Sequence, residues 1–294
     1  MNFQTPSIHS TEGEQLKVIN TVKEMQTLAN EVRERGRTIS FVPTMGALHD
    51  GHLRLISEGR KMADFLVVSI FVNPVQFGPN EDLNKYPRNL ERDLEKMTPI
   101  GVDIVFNPRV EEIYPAGFQT YVEVEELEGQ LCGRFRPGHF RGVATVVLKL
   151  FNIVKPDFAL FGEKDYQQLK IIRKMVEDLN LEVKIAGFPT VRDKDGLALS
   201  SRNSYLSPGE RRRALSLHRA LLEIRREFQM GVRDSKKITE TGEKILKEVG
   251  ITDIDYLEIC DPETLEPKAS AEVGDLVAVA VRLGGTRLID NARL

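Results

Sequence analysis

The sequence predicts an α/β fold: a doubly wound parallel sheet followed by a smaller α+β unit. Three observations carry this. Short apolar runs alternate with amphipathic helical stretches between residues 18 and 190, the pattern of repeated βαβ units. The run Phe65–Val72 is apolar on both faces, as a strand covered by helices on each side must be. Near Arg192–Pro208 the pattern gives way to Asp, Gly, Ser and Asn, after which charged helical runs lead into three more strand-like segments. The predicted organisation is a polar arm over 1–17, a sheet domain over 18–190 and a smaller unit over 191–294.

The elements follow in order. Thr21 caps a helix carrying Val22, Met25, Leu28 and Val32 on one face, and Gly36 ends it. Thr38–Val42 is a strand stopped by Pro43. An amphipathic helix covers His52–Ala63, and the Phe65–Val72 strand follows. The cycle repeats with a helix at Leu90–Met97, a strand at Asp103–Phe106, a helix at Val143–Val154 and a strand at Asp157–Phe161. A helix at Tyr166–Leu179 and a strand at Glu182–Ala186 complete it. The second unit reads as helices at Pro208–Met230 and Ser235–Val249, then strands at Tyr256–Cys260, Leu276–Val281 and Arg287–Ile289. There is no internal repeat.

Composition narrows the function classes. With 41 basic and 44 acidic residues the formal charge is −3, so nothing suggests a nucleic-acid or anionic-membrane surface. The two cysteines, Cys132 and Cys260, lack metal-site spacing, which suits a reducing compartment. No 18-residue apolar stretch and no secretory leader pattern is present. The expected setting is the cytoplasm.

Four segments carry chemistry. The first predicted strand runs into Met45-Gly-Ala-Leu-His-Asp-Gly-His52. Ligands in open α/β sheets bind at the carboxyl ends of strands, and a helix N-terminus favours phosphate. His49 and His52 add donors there, and Gly51 permits close approach. Their i, i+3 spacing would also suit a metal pair, but no third Cys or acidic ligand is nearby, and the turn is also readable as merely polar. The second strand ends in Asn73 and Gln76, neutral amides able to read a hydroxyl or carboxylate; a simple Asn-Pro turn is the other reading. The third segment is Gly162-Glu163-Lys164-Asp165, with Lys164 suited to a phosphate oxygen, Asp165 placed to cap the next helix, and Gln168 one turn on. The fourth is Leu199-Ser200-Ser201-Arg202, either a mobile anion clamp or a solvated linker.

PTMGALHDGH, VSIFVNPVQFGPNEDL, GRFRPGHFRGV, FGEKDYQQL and LALSSRNSYLS occur in this order. Together they resemble the pantoate–β-alanine ligase (pantothenate synthetase) family over the chain from about Val18 onward. The resemblance implies a Rossmann-like domain of the HIGH-motif nucleotidyltransferase type, with His49–His52 as the HIGH element and Leu199–Arg202 as a mobile loop of KMSKS type. It implies ATP-dependent condensation of (R)-pantoate with β-alanine through pantoyl adenylate. ATP would meet Met45, Gly46, Ala47, Leu48, His49, Asp50, Gly51 and His52. It would also meet Gly162, Glu163, Lys164, Asp165, Val191, Leu199, Ser200, Ser201 and Arg202. His52, His49, Lys164 and Arg202 would serve catalysis, and Gln76, Gln168 and Asn73 would bind substrate. Mg²⁺ would arrive mainly on the ATP phosphates, supported at most through water by Asp93. A homodimer is also implied. His139 and Arg141 are expected on the pantoate side or at a subunit contact. A HIGH-type adenylyltransferase acting on another small acid is the alternative.

Overall fold

The computed structural model describes residues 16–79 and 81–294. Most of the predicted polar arm, residues 1–15, lies outside the described residues. Leu16 already packs on the core, and the Lys17 carbonyl accepts the Val105 amide at 3.0 Å. The adjoining pair Val18–Ile19 forms strand β1 beside a strand far along the chain.

The first domain is built by alternation. Helix α1 (Val22–Glu34) opens where the Thr21 hydroxyl accepts the Glu24 amide, and it buries Met25, Ala29 and Val32. Strand β2 (Ile39–Thr44), helix α2 (Asp50–Met62) and strand β3 (Phe65–Ile70) follow. Every residue of β3 is buried, because helices cover both faces of the sheet. Helix α3 (Leu90–Met97), strand β4 (Ile104–Phe106) and the single-turn helices α4 (Val110–Ile113) and α5 (Glu125–Glu128) lead to the apolar helix α6 (His139–Val154). Strand β5 (Phe158–Gly162), helix α7 (Tyr166–Asp178) and strand β6 (Lys184–Phe188) complete the domain. Helix α6 starts four residues before the predicted Val143, since His139–Gly142 continue its apolar face into the core.

The six strands pair in parallel in the order β1-β4-β3-β2-β5-β6. From β2 the chain winds outward through β3 to β4, then returns to place β5 on the other side of β2. The winding direction therefore reverses between β2 and β5, and a crevice must open at their carboxyl ends.

The second unit has helices α8 (Pro208–Gln229) and α9 (Ser235–Glu248) and an antiparallel sheet of β7 (Ile254–Cys260), β8 (Leu276–Leu283) and β9 (Thr286–Arg293). Alternation along β7 and β8 splits the sheet's two faces. Leu257, Ile259, Val277 and Val279 pack with Leu217, Leu221 and Ile224 of α8. Tyr256, Cys260, Leu276 and Ala278 join the core of the first domain instead. The doubly wound sheet and the smaller α+β unit both match the sequence prediction. Among the described residues no helix is long and apolar enough to cross a membrane.

Candidate active site

The turn after β2 is shaped by two left-handed residues, Gly46 (φ 80°) and Ala47 (φ 51°). Two of its amides are tied down by a buried acid. Asp93 of α3, 2% exposed, accepts the Ala47 amide on Oδ2 and the Leu48 amide on Oδ1, both at 2.8 Å. Lys96 donates to the Leu48 carbonyl. Both Asp93 oxygens are thus turned to the backbone, which makes Asp93 a tether for this turn. The turn delivers His49 to the N-cap of α2, with His52 inside the first turn.

The two imidazoles stack with centroids 4.0 Å apart. A Cβ on Gly51 would stand 3.0 Å from the His49 ring, so the glycine in this motif makes room for a histidine of the same chain, beside any room it leaves for a ligand. The His49 amide donates to His52 Nδ1 at 3.4 Å, which leaves the ring proton on Nε2. Burial, with His49 and Lys164 nearby, holds His52 well below the ordinary histidine value, and burial with Lys164 lowers His49 to about 4. Both rings are neutral near pH 7 and offer N–H donors without a spare proton.

At the end of β3, Asn73 and Gln76 sit in one hydrogen-bonded unit. Asn73, 1% exposed, donates to Gln76 Oε1 and to the Gly142 carbonyl, each at 3.0 Å. It accepts from Tyr114 Oη at 2.9 Å and from the Val75 amide at 3.3 Å. Gln76 Nε2 lies 3.2 Å from Met45 Sδ. The backbone of Gln76 is held too. His139 Nε2 meets the Arg136 guanidinium at 2.9 Å, so its Nδ1 carries the proton and donates to the Gln76 carbonyl at 2.8 Å. Burial and Arg136 lower His139 to about 3. Arg136 is fixed by both oxygens of Glu81 at 2.6 Å. His139 therefore stands on the Gln76 side. Arg141 lies elsewhere, 4.1 Å over the Tyr121 ring and paired with Glu123 at 3.2 Å.

After β5, Asp165 holds the N-cap position of α7 but makes no capping bond, contrary to the capping role read from sequence. The Glu163 and Lys164 carbonyls both accept from Asn291 Nδ2 of β9, at 3.0 and 2.9 Å. Next to it, Asp290 is gripped by both guanidinium nitrogens of Arg192 at 2.6 and 2.8 Å. The fourth segment crosses the crevice mouth. The Ser201 hydroxyl donates to the Ala47 carbonyl at 3.2 Å, and Arg202 forms a two-pronged pair with Asp82.

One cavity of about 240 Å³ gathers most of the predicted residues. Met45, His49, Gly51, His52, Asn73, Gln76, Gly162, Lys164, Asp165, Gln168, Val191, Leu199, Ser200, Ser201 and Arg202 all line it. A larger space of about 610 Å³ adjoins it under β8 and β9 and shares Lys164, Asp165, Gln168 and Arg202. Five predicted residues line neither. Gly46 and Ala47 shape the turn, Leu48 is core at 2% exposure, Asp50 is exposed on the first turn of α2, and Glu163 is held through its carbonyl. Sequence reasoning missed Asp82, Lys96, Tyr114 and Asn291 as parts of the site, and Asp93 as its tether. Only Asp93 left a signal: an acid in register with Leu90 and Met97 on the core face of α3 must have buried partners. No group of three His, Cys, Asp or Glu able to hold a metal is present among the described residues.

The chain has close relatives among known proteins. The family model for pantoate-beta-alanine ligase matches residues 17–293. The chain is similar to the pantothenate synthetase of Geobacter sulfurreducens, 55% identical over 95% of this chain and 99% of that one. It is 54% identical to the pantothenate synthetase of Syntrophus aciditrophicus, over 94% and 96%. Among solved structures, pantothenate synthetase from Thermus thermophilus superposes with TM-score 0.89 at 48% identity, covering 94% of this chain and 99% of that one. Pantoate-beta-alanine ligase from Francisella tularensis, complexed with beta-gamma ATP and beta-alanine, gives 0.80 at 35% identity, covering 95% and 97%.

Proposed function

Because the chain belongs to the pantoate–β-alanine ligase family, we propose that the crevice between β2 and β5 joins pantoate to β-alanine at the expense of ATP, through a pantoyl adenylate. The observation that carries this reading is the meeting of His52, Lys164, Gln76, Gln168 and Arg202 on one cavity at the point where the sheet reverses its winding.

In the first step a pantoate carboxylate oxygen bonds to the α-phosphorus of ATP, the bond from that phosphorus to the bridging oxygen breaks, and pyrophosphate leaves. Such a step needs alignment and charge stabilisation more than covalent help. His52, with its proton on Nε2, donates to the phosphoryl oxygens as charge builds. His49 packs on it and adds a second donor. Lys164 is a point charge for the phosphates, and Ser200, Ser201 and Arg202 close over them. Gly162, Asp165, Val191 and Leu199 line the nucleotide. Gln76 and Gln168 bind pantoate, and Asn73 acts by orienting Gln76. In the second step the β-alanine amine attacks the acyl carbon, AMP leaves with the carbon–oxygen bond pair, and the amine gives up a proton to solvent. Mg²⁺ would be carried by the phosphates with its waters. Residues 191–294 serve as the lid, 18–190 as the substrate-binding body, and the enzyme works as a cytoplasmic homodimer.

The test is pyrophosphate exchange into ATP. Exchange that depends on pantoate, with AMP released only once β-alanine is added, supports the reading. Exchange that ignores pantoate and follows another small acid would overturn it in favour of a different adenylyltransferase.

A further inference from the structure

We propose that Tyr114 is a positioning residue that, through Asn73, locks Gln76 as a hydrogen-bond donor toward the acid substrate. The inference rests on the reading of Gln76 as a pantoate-binding amide. An amide side chain can present either its oxygen or its nitrogen, and the surroundings decide which. Here two backbone groups decide. The Gly142 carbonyl can only accept, and it faces Asn73 Nδ2 at 3.0 Å. The Val75 amide can only donate, and it faces Asn73 Oδ1 at 3.3 Å. Asn73 therefore has one orientation.

The second Nδ2 hydrogen of Asn73 goes to Gln76 Oε1 at 3.0 Å. That turns the Gln76 nitrogen outward, where among the described residues it meets only the Met45 sulfur at 3.2 Å, a weak acceptor. Gln76 is thus committed as a donor with an unmet hydrogen-bonding need. A carboxylate or hydroxyl oxygen meets that need, and a ligand presenting N–H at the same place would face donor against donor.

Tyr114 closes the relay. Its hydroxyl, at 2.9 Å from Asn73 Oδ1, is the shorter of the two donors holding that oxygen. The ring is fixed against Phe71 and Phe118, with centroids at 6.3 and 5.1 Å. Asn73 is 1% exposed, so bulk water does not reach it to replace the lost partner. Tyr114 lies 41 residues from Asn73 in sequence and acts on pantoate only through Asn73 and Gln76.

Tyr114→Phe removes one oxygen and keeps the ring. The KM for pantoate is expected to rise about 5–10-fold, the worth of one neutral hydrogen bond. The KM for ATP should stay put, while the thermal midpoint falls a little because buried Asn73 loses one of the two donors to its oxygen. A purely packing role would move both KM values together, and that result, or an unmoved pantoate KM, overturns the proposal. Gln76→Glu presents acceptors in the same shape, and pantoate dependence should be lost. If it is retained, the donor assignment is wrong. A wild-type enzyme without pantoate-dependent exchange refutes the ligase reading itself. A normal wild type with an unmoved Tyr114→Phe refutes only the relay.

Discussion

Arg202 meets Asp82 through two parallel hydrogen bonds, Nε to Oδ2 at 2.9 Å and Nη2 to Oδ1 at 2.8 Å. The pair bridges the segment after β3 and the loop that leads into the second unit. This edge of the guanidinium is taken by Asp82, so a phosphate approaching it competes with the carboxylate. Arg202→Ala should lower kcat about 100–1,000-fold, the usual loss for a donor to developing charge. Arg202→Lys should recover little of it, since a point charge cannot reproduce the planar fork. Asp82→Asn removes the competing charge and should lower the KM for ATP severalfold in steady-state assays; an unchanged KM would show that the two partners do not compete.

Three histidines held below their ordinary value set a pH dependence. His49 titrates near 4, His139 near 3 and His52 well below its ordinary value of 6.5. In the unfolded chain all three take up protons around pH 6.5. Below that value the unfolded state holds more protons than the fold, so stability falls as pH drops from 6.5 toward 4. Each histidine contributes up to about 1.4 kcal/mol per pH unit. Thermal midpoints measured from pH 7 to 5 should decline, and His49→Gln should decline less steeply. For the same reason kcat/KM for ATP should hold level down to about pH 6.

Gly142 lets α6 touch the 74–76 turn. A Cβ there would sit 2.7 Å from the Gln76 nitrogen and from the Val75 carbonyl carbon and oxygen. All three are backbone atoms and cannot swing aside. Gly142→Ala is expected to cost about 1–3 kcal/mol by overpacking, read by denaturant unfolding, and to raise the KM for pantoate as the turn shifts.

Asp93→Asn keeps the volume of the tether and removes one of its two acceptors. Leaving a backbone amide of Ala47 or Leu48 without its partner costs about 1–3 kcal/mol. Because the tether fixes the turn that delivers His49 and His52, kcat should fall along with stability. A variant of full activity would show that the turn holds its shape unaided.

Much of this was legible beforehand. Periodicity found the buried strand at Phe65–Ile70 and the helices on either side of it, since an apolar face is written into the local sequence. It missed β1 because two residues, Val18 and Ile19, carry no period and gain their conformation from β4, far along the chain. It drew β9 too short because Asp290 and Asn291 read as turn residues. In the fold Asp290 is buried against Arg192, and Asn291 spans to the 163–164 carbonyls. The motif residues were visible as clusters. Asp82 and Tyr114 were not, because each serves the site through a partner 41 or more positions away, and nothing local announces such a bond; Asp93 showed itself only as an acid on the core face of α3.

The Asn291 amide has a consequence for how the enzyme comes to life. The turn bearing Lys164 is braced by a strand that the ribosome makes after every other part of the site. Until β9 pairs with β8, the Lys164 turn lacks this brace. A chain clipped before Asp290 is therefore expected to hold nucleotide poorly, because the last strand, far from the phosphate-facing turns in sequence, keeps Lys164 in place.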